Sequence, residues 1–138
     1  MALLTIRPYI PDDESSVVDL WDQCNLIVPQ NDPVLDIHEK LSFQPDLFLV
    51  GIVESSLIGT IMIGYEGHRG WINYLAVHPK YRKRGFGRQL MDHATKLLKS
   101  MGCQKINVQI RNSNRAVIEF YKAIGFSDDD VVGFGKRI

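Results

Sequence analysis

The chain has 138 residues, 45% hydrophobic and 23% charged, with 16 basic and 16 acidic side chains and a formal charge of zero. That length suits one domain with a real core and is too short for two of ordinary size, and the neutral balance excludes a generally basic nucleic-acid surface. Two cysteines, Cys24 and Cys103, lie too far apart for a metal pair or a disulfide framework and read as reduced thiols.

Residues 1–10 lack the charged start and apolar run of a signal peptide, and no stretch approaches 18 apolar residues. A cytoplasmic protein without a membrane partner is expected. With no repeat, low-complexity tract or linker, residues 1–138 read as a single domain.

In chain order, Leu3 to Arg7 is a short apolar strand, broken by Pro8 and Pro11. Asp12, Asp13 and Glu14 open a helix with acids where its dipole favours them, and Val17, Val18, Leu20, Trp21 and Cys24 give it a buried stripe. Leu26 to Gln30 reads as a loop, since two helices here must bridge the first two strands. Asp32 as N-cap and Pro33 in the first turn start a second helix, with Ile37 and Leu41 inward.

Leu47 to Val53, Leu57 to Tyr65 and Trp71 to Val77 follow as strands of a meander, joined at residues 54–56 and 66–70. From Phe86 the period becomes helical: Phe86, Leu90, Ala94, Leu97, Leu98 and Met101 line one face, and Gly102 ends it. Lys105 to Ile110 is the next strand. Residues 112–114 cap a last helix that carries Tyr121 inward, Gly125 closes it, and Phe126 with Val131 to Lys136 supplies one or two final strands. The order implies an α+β fold: a largely antiparallel sheet with helices on both sides.

Between the strand ending at Val77 and the long helix lies the most distinctive stretch. Lys80, Arg82, Lys83, Arg84 and Arg88 surround Gly85 and Gly87, with no acid between His78 and Met91. Glycines let an anion approach the main chain, and the first N–H groups of a helix have no intrahelical acceptors, so the turn suits a polyanion. Neither a P-loop nor a dinucleotide-binding Gly-x-Gly-x-x-Gly pattern is present.

Leu75-Ala76-Val77-His78-Pro79 followed by Arg82-Lys83-Arg84-Gly85-Phe86-Gly87 closely resembles the acetyl-CoA signature of the GNAT N-acetyltransferases. A second stretch, Asn114 to Phe126, resembles the Asn-x-x-Ala/Val-x-x-Leu/Phe-Tyr-x-x-x-Gly-Phe ending of the same family. With Asn31-Asp32-Pro33 and Gly64 to Gly70, the wider pattern is similar to the small bacterial YpeA-type members. The resemblance covers nearly the whole chain. It implies a mixed, mostly antiparallel sheet of six to seven strands, splayed between the fourth and fifth, flanked by four helices.

It also implies acetyl-CoA as cosubstrate, with no metal. Main-chain groups of Leu75 and Val77 would bind the pantetheine arm, the thioester carbonyl would lie near the Leu75–Ala76 backbone, and the pyrophosphate would take N–H groups from Arg82, Lys83, Arg84, Gly85, Phe86, Gly87 and Arg88. Asn114 would hold the cofactor near its pantetheine end. Tyr121 matches the family tyrosine that protonates the departing thiolate; from the residues alone it reads as a core aromatic on a helical stripe.

Acetyl transfer to an amine needs the amine neutral. A lysine ε-amine of pKa ~10.4 costs ~4.6 kcal/mol to neutralise at pH 7, an α-amine of ~7.8 only ~1.1. Where the histone-acetyltransferase branch has a glutamate, four residues before the position of Leu75, this chain has Trp71. Glu66 and His68, at a strand end beside the cleft, are the candidate bases, acting through water. Their other reading is as solvated hairpin residues. Asn73 and Asn107 could orient such a water.

The expected activity is transfer of acetyl to a primary amine, small molecule or protein, by direct attack in a ternary complex. The alternatives are a noncatalytic acetyl-CoA sensor and nucleic-acid binding through Lys80 to Arg88, which the neutral charge argues against. Monomer and homodimer both remain open, with the C-terminal strand as a pairing edge.

Overall fold

A computed structural model of the protein describes residues 2–138. The elements are β1 (Thr5–Pro8), α1 (Glu14–Gln23), α2 (Pro33–Phe43), β2 (Phe48–Val53), β3 (Ser56–Tyr65), β4 (Gly70–Val77), α3 (Phe86–Ser100), β5 (Ile106–Val108) and α4 (Arg115–Ala123). The chain divides into two compact units, one ending at Val108 and the other running from Gln109 to Ile138.

In the first unit the strands stand in the order β1-β2-β3-β4-β5, antiparallel except for the parallel pair β4–β5. The expected α+β class and mixed sheet are present. Pro8 is the last residue of β1, where an edge strand tolerates its missing N–H. The β2–β3 turn uses Glu54 and Ser55, both at positive φ (49° and 68°), as a two-residue hairpin between paired Val53 and Ser56 requires.

Apolar clusters hold the unit together. Tyr9, Val17, Leu20, Trp21, Ile37, Phe48 and Val50 join α1 and α2 to the sheet, while Val53, Ile58 and Phe86 join the start of α3 to it. Helix α3 lies close because β3 and β4 present glycines beneath it. A Cβ at Gly59 would come within 3.0 Å of Leu90, and one at Gly70 within 2.8 Å of Leu98.

Asp32 caps α2 by accepting from the Val34 and Leu35 N–H groups at 3.1 Å each. Gly102 and Gly125 follow α3 and α4 at φ of 92° and 103°, the left-handed stop their positions required.

The strand count is a correction. Among the described residues five strands form, not six or seven: neither Phe126 nor Val131 to Lys136 forms a strand, and Val131, Val132 and Phe134 are exposed. Strands are stable only through partners. Three successive acids and Gly133 and Gly135 give this segment little reason to hold an extended edge. The expected C-terminal pairing edge falls with it. The fifth strand is also shorter, Ile106–Val108 instead of Lys105 to Ile110.

Arg7 and Asp13 tie β1 to the start of α1. The guanidinium donates to both Asp13 oxygens, at 2.8 and 2.9 Å, and the Ile10 N–H adds a third bond at 2.9 Å. Hydrogen bonding from Arg7 holds the Asp13 carboxyl below its ordinary value, against the opposing effect of burial. A depressed carboxyl contributes stability above its unfolded pKa of ~3.9 and loses it as pH falls through the lower folded value. Asp13→Asn should therefore cost about 1–2 kcal/mol at pH 7 and flatten the decline of stability below about pH 4, read by urea unfolding across pH.

Candidate active site

The basic turn begins where Pro79 ends β4. His78 caps the single 3-10 turn Pro79–Tyr81 by accepting the Lys80 N–H at its Nδ1 (3.1 Å). Lys83 (φ 62°) and Gly85 (φ 83°) are both left-handed and flank Arg84, whose guanidinium lies 5.3 Å from the Tyr81 ring centre. Gly85 is the N-cap of α3, and no side chain caps the helix.

The N–H groups of Phe86, Gly87 and Arg88 precede the first intrahelical bond, from Gln89 N–H to Gly85 carbonyl. Lys80, Arg82, Lys83, Arg84 and Arg88 are all exposed, and no carboxylate of the described residues pairs with any of them. Arg84, Phe86 and Gln89 line a cavity of about 310 Å³ with Ala2. Uncapped helix donors ringed by unpaired cations fit a pyrophosphate.

Strand β4 carries the second half of the site. It pairs with β5 only at Gly70, Trp71 and Ile72, so from Asn73 to Val77 that edge has no partner strand. This is the expected splay. On its other side β4 is bulged: Ile61 of β3 faces two residues, Tyr74 and Leu75, and Tyr74 sits at φ 50°, which is uncommon for a non-glycine residue.

The bulge is locked from below by two side chains. Trp21 Nε1 donates to Thr60 Oγ1 at 2.9 Å, and Thr60 Oγ1 donates to the Tyr74 carbonyl at 2.8 Å. Trp21 and Thr60 are fully buried. Because the carbonyl and N–H of a trans peptide point oppositely, fixing the Tyr74 carbonyl on Thr60 aims the Leu75 N–H away from it. Thr60→Val should leave the indole N–H buried without an acceptor and free the peptide to tilt. The expected loss is about 2 kcal/mol of stability, together with a lower kcat at unchanged acetyl-CoA affinity.

The Val77 carbonyl is less available than the sequence suggested, since Arg82 Nε donates to it at 3.0 Å and Cys24 Sγ at 3.4 Å, using both lone pairs. Conversely, Asn107 Oδ1 on β5 is buried without a partner, an acceptor left for a donor from outside the chain. It lies beside Trp71, where the strands part.

Glu66 and His68 lie in the β3–β4 turn, at the far end of β4. Gly70 precedes Leu75 by five residues, roughly 17 Å of extended strand. Glu66 Oε1 accepts from the Arg69 N–H and from the His68 N–H (2.7 Å), capping its own turn. Those bonds, the Arg69 one first, hold the exposed carboxyl below its ordinary value.

In the second unit, Asn114 caps α4 by accepting the Val117 N–H at 3.3 Å, which leaves its amide NH₂ for other partners. Tyr121 is buried, its ring 5.2 Å from those of Phe120 and Phe126. Burial pushes its hydroxyl well above the ordinary phenol value, and the hydroxyl has no hydrogen-bond partner among the described residues.

Sequence reasoning missed the cluster around Tyr74. Its hydroxyl donates to Asp36 Oδ2 on α2 at 2.5 Å, and its ring stacks on Trp21 at 3.7 Å. One signal was available: Thr60 is a lone hydroxyl in an apolar strand. None announced the bulge, because Tyr74 is neither Gly nor Asn.

Residues 15–126 match the family model of the GNAT acetyltransferases, a span that crosses from the first unit into the second. An acetyltransferase of Yersinia pestis (strain Pestoides F) is 43% identical over 135 residues, 98% of this chain and 96% of that protein. One from Sodalis glossinidius is 45% identical over 136 residues, with the same coverages. Among solved structures, Ard1 from Thermoplasma volcanium superposes with a TM-score of 0.78 at 28% identity, covering 90% of this chain and 82% of that one. The aminoglycoside N-acetyltransferase AAC(6')-Iy, solved with CoA, shares the fold at a TM-score of 0.79 and 20% identity, over 99% and 96% of the two chains.

Proposed function

Since the chain belongs to the GNAT acetyltransferase family and is an acetyl-CoA-dependent N-acetyltransferase, we propose that it acetylates a primary amine by direct attack within a ternary complex. The observation that carries this reading is the pairing of an uncapped, cation-ringed helix start with a bulged strand edge left open beside it. The first suits the pyrophosphate, with Arg82 to Arg88 as its partners. The second offers the pantetheine arm a free strand edge, and the Leu75 N–H suits the oxyanion that develops on the thioester carbonyl.

Tyr121 is the acid for the departing thiolate. Its place in the second family signature and its elevated, unpartnered hydroxyl support that role, since the group stays protonated at any working pH. Asn114 is assigned to the cofactor on the same signature, through its amide NH₂. We take both units to belong to one transferase domain, as the reach of the family model supports.

Serving as base from Glu66 or His68 would take a file of waters along β4, and the backbone donors on Glu66 weaken it as a base. Among the described residues no group of three or more His, Cys, Asp or Glu could hold a metal, and no helix is long and apolar enough to cross a membrane.

Titrating acetyl-CoA into the protein by calorimetry, then adding primary amines while following free thiol, tests the reading. Saturable binding with amine-dependent thiol release is expected. Binding without release from any amine would reduce the protein to a sensor of acetyl-CoA.

A further inference from the structure

Asp36 is a partly buried carboxylate with an unusual set of neighbours. Its partner is a phenol, Tyr74, and no cation among the described residues pairs with it. Lys40, one turn later on α2, directs its ammonium instead to the Ile63 carbonyl and Gln44 Oε1. Asp32, the cap of α2, adds a second negative charge to the surroundings of the phenol. A partly buried carboxylate left without a cation suits a cationic ligand.

Tyr74 is fixed at three points. Its ring stacks on Trp21, its carbonyl accepts from Thr60, and its hydroxyl donates to Asp36. The remaining function of that hydroxyl is as an acceptor, since a phenol oxygen both gives and takes hydrogen bonds. Tyr74 also immediately precedes Leu75, whose N–H is assigned to the thioester oxygen. The hydroxyl and that N–H belong to adjacent residues of the same bulge.

We propose that the Asp36–Tyr74 pair is the acceptor's receiving site: it holds the ammonium of a primary alkylamine and takes its proton through Tyr74 onto Asp36. The proposal rests on the transferase reading above. In the step, one N–H bond of the ammonium breaks and leaves its electron pair on nitrogen. The proton joins the Tyr74 oxygen while the proton already there passes to Asp36 Oδ2. Tyr74 ends neutral, Asp36 ends as the acid and returns its proton to solvent, and the amine is ready to attack. Tyr74 touches the acceptor; Asp36 acts through it and positions it. The relay fills the base's role in place of Glu66 or His68.

The test compares thiol release from acetyl-CoA with n-butylamine, a cation at assay pH, and with 2,2,2-trifluoroethylamine, which is already neutral there. Wild type, Tyr74→Phe, Asp36→Asn and the double variant are measured, with acetyl-CoA affinity by calorimetry on each. Each single variant should lose about 50-fold in kcat/KM for n-butylamine, near the low end of general-base effects, and much less for the neutral amine. The double variant should be no worse than the singles, because the two groups act as one relay. Acetyl-CoA affinity should not change.

Equal losses for both amines, additive losses in the double variant, or no loss at all would overturn the relay while leaving the transferase reading intact. Failure of the wild-type protein to bind acetyl-CoA, or to release thiol with either amine, would overturn both. Tyr74→Phe keeps the ring stacked on Trp21, so it carries the comparison even if Asp36→Asn fails to fold.

Discussion

Tyr121→Phe is expected to lower kcat by about 100-fold or more while leaving acetyl-CoA affinity within a factor of two, the range general acids usually supply. The substitution removes one oxygen and keeps the ring that packs between Phe120 and Phe126. The lost hydroxyl has no hydrogen-bond partner among the described residues, so no structural bond is broken and stability should hold. Any loss of rate then reports chemistry. Because burial raises the Tyr121 hydroxyl, the wild-type rate should show no alkaline decline attributable to this group below about pH 10. Pre-steady-state thiol release checks the first point and thermal unfolding the second. An unchanged kcat would return Tyr121 to the core aromatic that composition alone would make of it.

Gly85→Val should abolish acetyl-CoA binding in practice, lowering affinity about 100-fold or more, the equivalent of at least one strong charge-assisted hydrogen bond. The cause is not crowding. A Cβ at Gly85 would meet nothing within 4 Å, so the space is open. The cost lies in the backbone: at φ 83° an L-residue pays roughly 1–2 kcal/mol, more when β-branched, and escapes by rotating away. That rotation re-aims the Phe86, Gly87 and Arg88 N–H groups. Gly85→Asn separates the two explanations, because asparagine tolerates the left-handed region without leaving the position smaller. Calorimetry should find Asn near wild type and Val without measurable heat. Equal losses in both would mean that bulk, not conformation, governs the turn.

These two positions were legible from the sequence because each is marked by local chemistry: a glycine between cations at a strand-to-helix junction, and a tyrosine at fixed spacing inside a second signature. The helices were equally plain, since Asp32-Pro33 and the period from Phe86 are signals carried by neighbouring residues. What the sequence could not show depends on partners far away in the chain. Whether Val131 to Lys136 becomes a strand is decided by an edge to pair with, not by β-propensity. The bulge at Tyr74 exists because Ile61 faces two residues, a matter of register. Asp36 and Tyr74 are 38 residues apart and meet only through the packing of α2 on the sheet. Glu66 illustrates the converse: sequence offers it as an acid at a strand end, while the two backbone donors that make it the cap of its own turn come into view only in the fold.

The short β4–β5 ladder bears on the order in which the first unit assembles. Strands β2, β3 and β4 are joined by tight turns, so their pairing closes small loops, whereas β5 returns to β4 only after the whole of α3 and then over three residues. Late, non-local pairing of that kind adds little protection once formed. Amides of Ile106 to Val108 should exchange with deuterium orders of magnitude faster than those of Leu49 to Val53. The opening between β4 and β5 is thus the weakest seam of the sheet, able to part while the meander beside it stays folded.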